Sequence, residues 1–171
     1  MDPRLDLIYK RRSIRAFQDR PVEKENLTEL LKAGMAAPSA SNGQPWEFIV
    51  VTDPDRLTQL REVLVHGKYN APAAIAVLAN LSIAKKESST RFWVQDCSAA
   101  VENILIAATG LGLGSVWIGA HPKEEVTKQI QDILKIPADI HVLSLIYVGY
   151  PAEEQPARTQ YEEIRVHWQK Y

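Results

Sequence analysis

The sequence predicts an α+β domain built around one central sheet. Two observations carry that prediction. Apolar, β-branched runs alternate along the chain with segments whose apolar residues recur at helical spacing. The connections between them are too short or irregular for a regular series of β-α-β units. The chain has 171 residues, no internal repeat and no shift of composition, so residues 1–171 are expected to form a single domain.

Leu5, Leu7 and Ile8, followed by basic residues, predict a short helix over 2–11. Pro21 opens a turn. Leu27, Leu30, Leu31 and Met35 predict a helix over 23–36, with acids in its first turn, weakened near its end by Gly34 and stopped by Pro38. Phe48-Ile49-Val50-Val51 predicts a strand over 47–52, with Trp46 as a core anchor beside it. Asp53-Pro54 starts a helix whose apolar face is Leu57, Leu60, Val63 and Leu64. Residues 73–79 read as a buried strand, 81–90 as a polar loop and 92–109 as a long alanine-rich helix. That helix is apolar nearly all round, so solvent is expected to touch little of it. A short strand over 115–118, a helix over 122–134 and a strand over 141–148 follow. After Gly149-Tyr150-Pro151 the chain holds few core-type residues; it must hang free or wrap another surface.

Composition narrows the class. Hydrophobic residues make up 46% and charged residues 24%, as in soluble globular proteins. A net charge of −1 supplies no field that would gather nucleic acid. Cys97 is the only cysteine, so no intrachain disulfide forms. The opening residues lack a charged-then-apolar leader and no apolar run approaches bilayer length. A cytoplasmic location is therefore expected.

Three distant segments suit one ligand. Arg11-Arg12-Ser13-Ile14-Arg15 offers guanidinium forks and a hydroxyl to a phosphate. Pro38-Ser39-Ala40-Ser41-Asn42-Gly43-Gln44-Pro45-Trp46 lacks long side chains before Gln44, so a ring or another backbone can approach it closely. Leu111-Gly112-Leu113-Gly114-Ser115-Val116-Trp117-Ile118-Gly119 presents backbone amides to the edge of a heterocycle. Each also has an ordinary reading: a solvated helix end, a plain helix-to-strand connection, and a helix-ending glycine cluster. The glycines do not form a Rossmann motif, because they follow a helix and precede a strand. Taken together, the three suggest FMN and redox chemistry.

Other chemistries find little support. His66, His121, His141 and His167 are scattered without metal-ligand spacing, so no metal site is expected. No serine occupies a nucleophile elbow, and Cys97 on its apolar helix reads as a packing residue. A bound organic cofactor is left to carry the reaction.

At this point the motifs resemble a known family. Arg11-Arg12-Ser13-Ile14-Arg15-Ala16-Phe17 resembles the opening motif of the FMN-dependent nitroreductases, and Ala37 to Phe48 resembles their second motif. Gln95-Asp96, then Ala99-Ala100 with Glu102-Asn103 and Leu105, resembles their central helix, with Gly110 to Gly119 after it. Gly149-Tyr150-Pro151 and the arginine-bearing tail resemble their C-terminal end. Four motifs in the right order cover nearly the whole chain.

The resemblance implies a mostly antiparallel sheet flanked by helices, in an interlocked homodimer with two FMN sites at the subunit interface. It implies that Arg11, Arg12 and Ser13 hold the phosphate and nearby ribityl chain, with Arg158 on the phosphate. Gln160 stands where relatives often carry a second cation. Arg15 would lie at the pyrimidine side and stabilise the charge at N1 of the reduced cofactor; no catalytic nucleophile is implied. Pro38, Ser39, Ala40 and Asn42 would reach over from the other subunit. Asn70 would touch a flavin edge, and Val116, Trp117, Ile118 and Gly119 would run along the ring, with an N–H near Gly119 toward N5. The implied activity is ping-pong transfer from NADH or NADPH to FMN and then to nitroaromatic, quinone or similar small acceptors. Alternatives are another flavin reaction of this fold, such as dehydrogenation or dehalogenation, and a non-catalytic FMN-binding redox protein. Lys85, Lys86 and Arg91 could meet a 2′-phosphate or form a solvated patch, and residues 81–92 are expected to shape the substrate opening.

Overall fold

The computed structural model describes residues 1–64, 66–84 and 86–171. Among the described residues, four strands form one sheet: β1 (Trp46–Val51), β2 (Ala73–Ala79), β3 (Gly114–Gly119) and β4 (His141–Gly149). Their order is β1-β2-β4-β3, and every neighbouring pair is antiparallel. Five α-helices accompany them among the described residues: α1 (Asp6–Lys10), α2 (Lys24–Met35), α3 (Pro54–Val63), α4 (Ser89–Gly110) and α5 (Glu124–Leu134).

Every residue of β2 is buried, because both faces of the sheet are covered. Ala74, Ala76 and Leu78 point to one side, where they meet Leu57 and Leu60 of α3 and Ile130 of α5. Ala73, Ile75, Val77 and Ala79 point to the other, against Leu27 and Leu30 of α2 and Val101, Ile104 and Ala108 of α4. This two-sided burial explains why the strand reads as a continuous apolar run without polar alternation. The α2–α4 contact is close: a Cβ on Gly34 would stand 2.9 Å from Ile104 Cδ1.

The β2–β4 register shifts opposite Val77 and Leu78, which face Ser144 and Val142. Leu143 is the extra residue. Its carbonyl accepts from the N–H groups of Ala120 (3.2 Å) and His121 (3.0 Å), which turns the chain at the end of β3.

Two elements differ from expectation. The first helix is broken: Pro3–Leu5 forms a 3₁₀ turn capped by Asp2, and α1 proper stops at Lys10. Tertiary pairing overrides the local preference, because the chain from Arg11 onward is drawn out along β3. Helix α4 is also not enclosed within the chain. Cys97, Val101, Ile104 and Ala108 are buried, whereas Phe92, Gln95 and Glu102 face solvent and Ala99 and Ile106 are half-buried along the same stripe. Trp46 is buried as expected. No helix is long and apolar enough to cross a membrane, among the described residues.

The start of α2 is clasped to the end of β4. Tyr150 Oη donates to Glu23 Oε2 at 2.6 Å, Arg20 Nη2 donates to Glu23 Oε1 at 2.9 Å, and the Arg20 guanidinium lies 3.7 Å from the Tyr150 ring centroid. The Tyr150 hydrogen bond, aided by a backbone N–H and Arg20, holds the Glu23 carboxyl down at about 2, against 4.5 ordinarily. A depressed folded value means a contribution to stability that is present above pH 4.5 and lost as pH falls toward 2. Between those limits the melting temperature of the wild type should fall more steeply than that of Glu23→Gln. Parallel curves would contradict the clasp.

Candidate functional site

The basic run leaves α1 and lies in a groove between β3 and the chain after β4. Ile14 N–H donates to Ser115 C=O at 3.0 Å, and Ser13 pairs with Ser115 in a parallel bridge. Gly114 permits this approach, since a Cβ there would stand 2.7 Å from Ile14 Cγ2. On the other flank, the N–H groups of Arg15 (2.6 Å) and Ala16 (3.2 Å) both donate to Glu153 Oε1. These two amides, Arg15's first, hold the Glu153 carboxyl below its ordinary value. Phe17 bridges to Pro151, and Arg158 N–H reaches Tyr9 C=O at 3.0 Å. The tail is thereby carried back over the basic run.

This arrangement brings the arginines together. The Arg12 guanidinium donates to Pro156 C=O. Its pKa is lowered, first by partial desolvation and then by repulsion from Arg158 and Arg11. Arg11 has a partner in Glu102, with Nε 3.3 Å from Oε1. Neither Arg12 nor Arg158 is in an ion pair among the described residues. Clustered like charges are unfavourable unless an anion joins them, and planar guanidinium forks match phosphate oxygens.

Farther along the same groove is a cavity of ≈ 380 Å³, whose walls include Arg15, Val116, Trp117, Ile118, Gly119 and Tyr69. The Arg15 guanidinium lies 6.0 Å from the Tyr69 ring centroid, and its Nη1 reaches Ser13 C=O at 3.4 Å. Strand β3 is the sheet's edge. Because Ser115 C=O points outward to Ile14, the two-residue alternation aims the backbone groups of Trp117 and Gly119 outward too. A Cβ on Gly119 would meet nothing within 4 Å, so the wall there is open.

The second motif lies apart from these residues, at the beginning of α4. Helix α2 ends at Met35, three residues before Pro38, and Ala40–Asn42 forms one 3₁₀ turn. Ser41, Asn42 and Gln44 all adopt left-handed backbone angles, with φ of 51°, 55° and 51°. Ser39 Oγ accepts from Gln44 N–H at 3.1 Å, and Ala40 N–H donates to Asp96 Oδ1 at 2.8 Å. Within one chain, therefore, Pro38, Ser39, Ala40 and Asn42 form a rigid loop of their own. Asn70, expected at a flavin edge, is also set apart: it lines a cleft of ≈ 290 Å³ with Gln18, Asp19 and Arg61. Its neighbour Tyr69 lines the Arg15 cavity.

The remaining candidates resolve simply. Cys97 is fully buried, and its thiol donates to Leu78 C=O at 3.5 Å; burial, then Asp96, pushes its pKa up to about 12. Arg91 lines a shallow cleft with Glu87, Ser88 and Phe92, Lys86 is exposed, and Lys85 lies outside the described residues. Tyr69, Asp96 and Glu153 were not singled out from the sequence as site residues. Asp96 had one available signal, an acid within the buried spacing of an alanine-rich helix. The contacts of Tyr69 and Glu153 are long-range and left none.

Comparison with known proteins places this geometry. The sequence matches the Nitroreductase family over residues 8–67 and 59–150. It is 45% identical to an Archaeoglobus fulgidus protein, with both chains fully covered; that protein carries the provisional name NADH dehydrogenase/NAD(P)H nitroreductase. A crystal structure of the same provisional name from Parabacteroides distasonis superposes with a TM-score of 0.92 at 36% identity, covering 100% of each chain. An FMN-dependent nitroreductase from Clostridium difficile superposes with a TM-score of 0.87 at 34% identity, covering 98% of this chain and 99% of that one. The fold, a four-stranded antiparallel sheet flanked by helices, is that of a nitroreductase-like α+β protein. The chain belongs to the nitroreductase family.

Proposed function

We propose that this chain is an FMN-dependent NAD(P)H oxidoreductase that reduces nitroaromatics, quinones or similar flat acceptors in a ping-pong sequence. The observation that carries the reading is the meeting of Arg12, Arg11 and Arg158 on the groove that leads to the Arg15 cavity. The residues fit FMN. Arg12 and Arg158, with Arg11 and Ser13, suit the phosphate and ribityl chain. Arg15 stands three residues farther on, at most about 10 Å along the backbone, a suitable reach for the ring. The outward backbone groups of Trp117 and Gly119 suit polar atoms at the ring edge, with Val116 and Ile118 in the wall beside them. The FMN dependence borne in the name of the Clostridium difficile relative supports the same assignment.

When bound, FMN accepts hydride from the nicotinamide and supplies electrons to the acceptor. The protein's part is position and charge. Glu153 anchors the backbone of Arg15 and so keeps a cation at the cavity wall, where it favours added negative charge. Gly119 leaves room beside the ring site for a flat acceptor.

We further infer a homodimer. The stripe Phe92, Ala99 and Ile106 on α4 and the tail residues Tyr161, Ile164 and Trp168 leave much apolar surface open, Trp168 being 80% exposed. A second copy covering them would also bring its Pro38, Ser39, Ala40 and Asn42 loop to the flavin groove.

Purified protein should be yellow and release FMN, rather than FAD, on heating. It should oxidise NADH or NADPH when nitrofurazone or a quinone is added, with parallel double-reciprocal lines. A colourless protein that takes up no added FMN would overturn the cofactor. Bound FMN without turnover of any acceptor would favour a non-catalytic redox protein instead.

A further inference from the structure

We propose that Asp96 is the positioning residue of the FMN site: its buried carboxylate fixes the Pro38–Asn42 loop in the one shape that the cofactor site accepts. The proposal rests on the function and the homodimer inferred above, since the loop lies apart from the groove of its own chain, and it assigns a task to a residue that touches no cofactor.

Asp96 is only 4% exposed and lies on the buried face of α4, beside Cys97 and Ala100. An acid is costly there. Oδ1 accepts the Ala40 N–H at 2.8 Å, whereas Oδ2 has no hydrogen-bond partner among the described residues. A small apolar residue would pack at this position without that cost, so the carboxylate is explained by what Oδ1 does.

Oδ1 holds the middle of an unusual loop. Three non-glycine residues within four positions have positive φ, a backbone arrangement that is unfavourable unless its surroundings impose it. The restraints come from the first two turns of α4 and the residue before it. Asp96 takes the N–H of Ala40, and Ser88 Oγ donates to its C=O at 3.3 Å. Gly43 rests against Ser89 so closely that a Cβ would stand 1.9 Å from Ser89 Oγ. Ala40 is thus gripped at both its backbone groups, and the loop's outer edge, with Ser39, Ser41 and Asn42, is set by that grip. Without Asp96 the strained turn relaxes toward ordinary backbone angles and the edge shifts.

The test compares Asp96→Ala with Asp96→Asn. Asparagine keeps an oxygen for Ala40 N–H, removes the charge and puts an amide NH2 where Oδ2 has no partner among the described residues. FMN affinity is read by flavin fluorescence, well below the melting temperature, in samples whose circular dichroism matches the wild type. Asp96→Ala should bind FMN about tenfold more weakly, the effect of losing the one hydrogen bond that holds the loop in its binding shape. Asp96→Asn should stay within about threefold of wild type. A folded Asp96→Ala with wild-type affinity overturns the proposal, as does Asp96→Asn damaged as badly as alanine. If Asp96→Ala does not fold, Gly43→Ala disturbs the same loop from the Ser89 side and should weaken FMN likewise; unchanged affinity there overturns the claim that loop shape limits binding. Failure of wild-type protein to bind FMN would be a different result: it removes the functional reading, and the proposal falls with it.

Discussion

Alanine at Arg12 or at Arg158 should raise the FMN dissociation constant about tenfold to a hundredfold, in fluorescence titrations of protein stripped of flavin. The magnitude is that of one charge-assisted hydrogen bond, about 1.5–3 kcal/mol, at 1.36 kcal/mol per factor of ten. Both side chains sit among like charges: the pKa of Arg12 is lowered by desolvation and by Arg158 and Arg11. A phosphate dianion reverses the sign of that interaction, so removing either arginine loses an attraction that the bound state alone enjoys. The loss should shrink as salt is added, because the groove is open to solvent. Arg11→Ala should cost less, since Glu102 already neutralises part of its charge. Unchanged affinity in both the Arg12 and Arg158 variants would remove the phosphate site.

The second large effect falls on the core. Ile146, at the centre of β4, is fully buried in the layer shared with α2 and α4. Ile146→Ala should lower the stability to urea by about 2–5 kcal/mol, through lost transfer free energy and the cavity left between sheet and helices. The slope of the unfolding free energy against urea should stay unchanged. A loss below about 1 kcal/mol would mean that the sheet and α4 close over the gap, in conflict with a tightly packed layer.

Much of this organisation was legible in the sequence. Strand β2 was expected over 73–79 and occupies those residues, because a seven-residue apolar run with no glycine or proline admits little else. Helices α2 and α5 fall within two residues of expectation, since spacing and breakers agree there. The basic run and the glycine-rich strand were both singled out, and the structure joins them through Ser13 and Ser115. What was not legible depends on distant partners. The break between α1 and the basic run follows from pairing with β3, which no local pattern announces. The extra residue at Leu143 follows from the two amides that converge on its carbonyl. Glu153 acquires its task only when the tail folds back to Arg15, and Asp96 only when α4 meets the loop after α2. The start of α4 at Ser89, earlier than expected, reflects Thr90 Oγ and neighbouring amides closing a turn on Glu87 and Lys86.

The most direct measurement sets FMN against riboflavin, which carries the same ring and ribityl chain without the phosphate. If the arginines from both ends of the chain hold that phosphate, wild-type protein should bind FMN at least about a hundredfold more tightly than riboflavin. In the Arg12→Ala/Arg158→Ala double variant the two affinities should draw close together. Equal affinity of the wild type for both molecules would contradict the account.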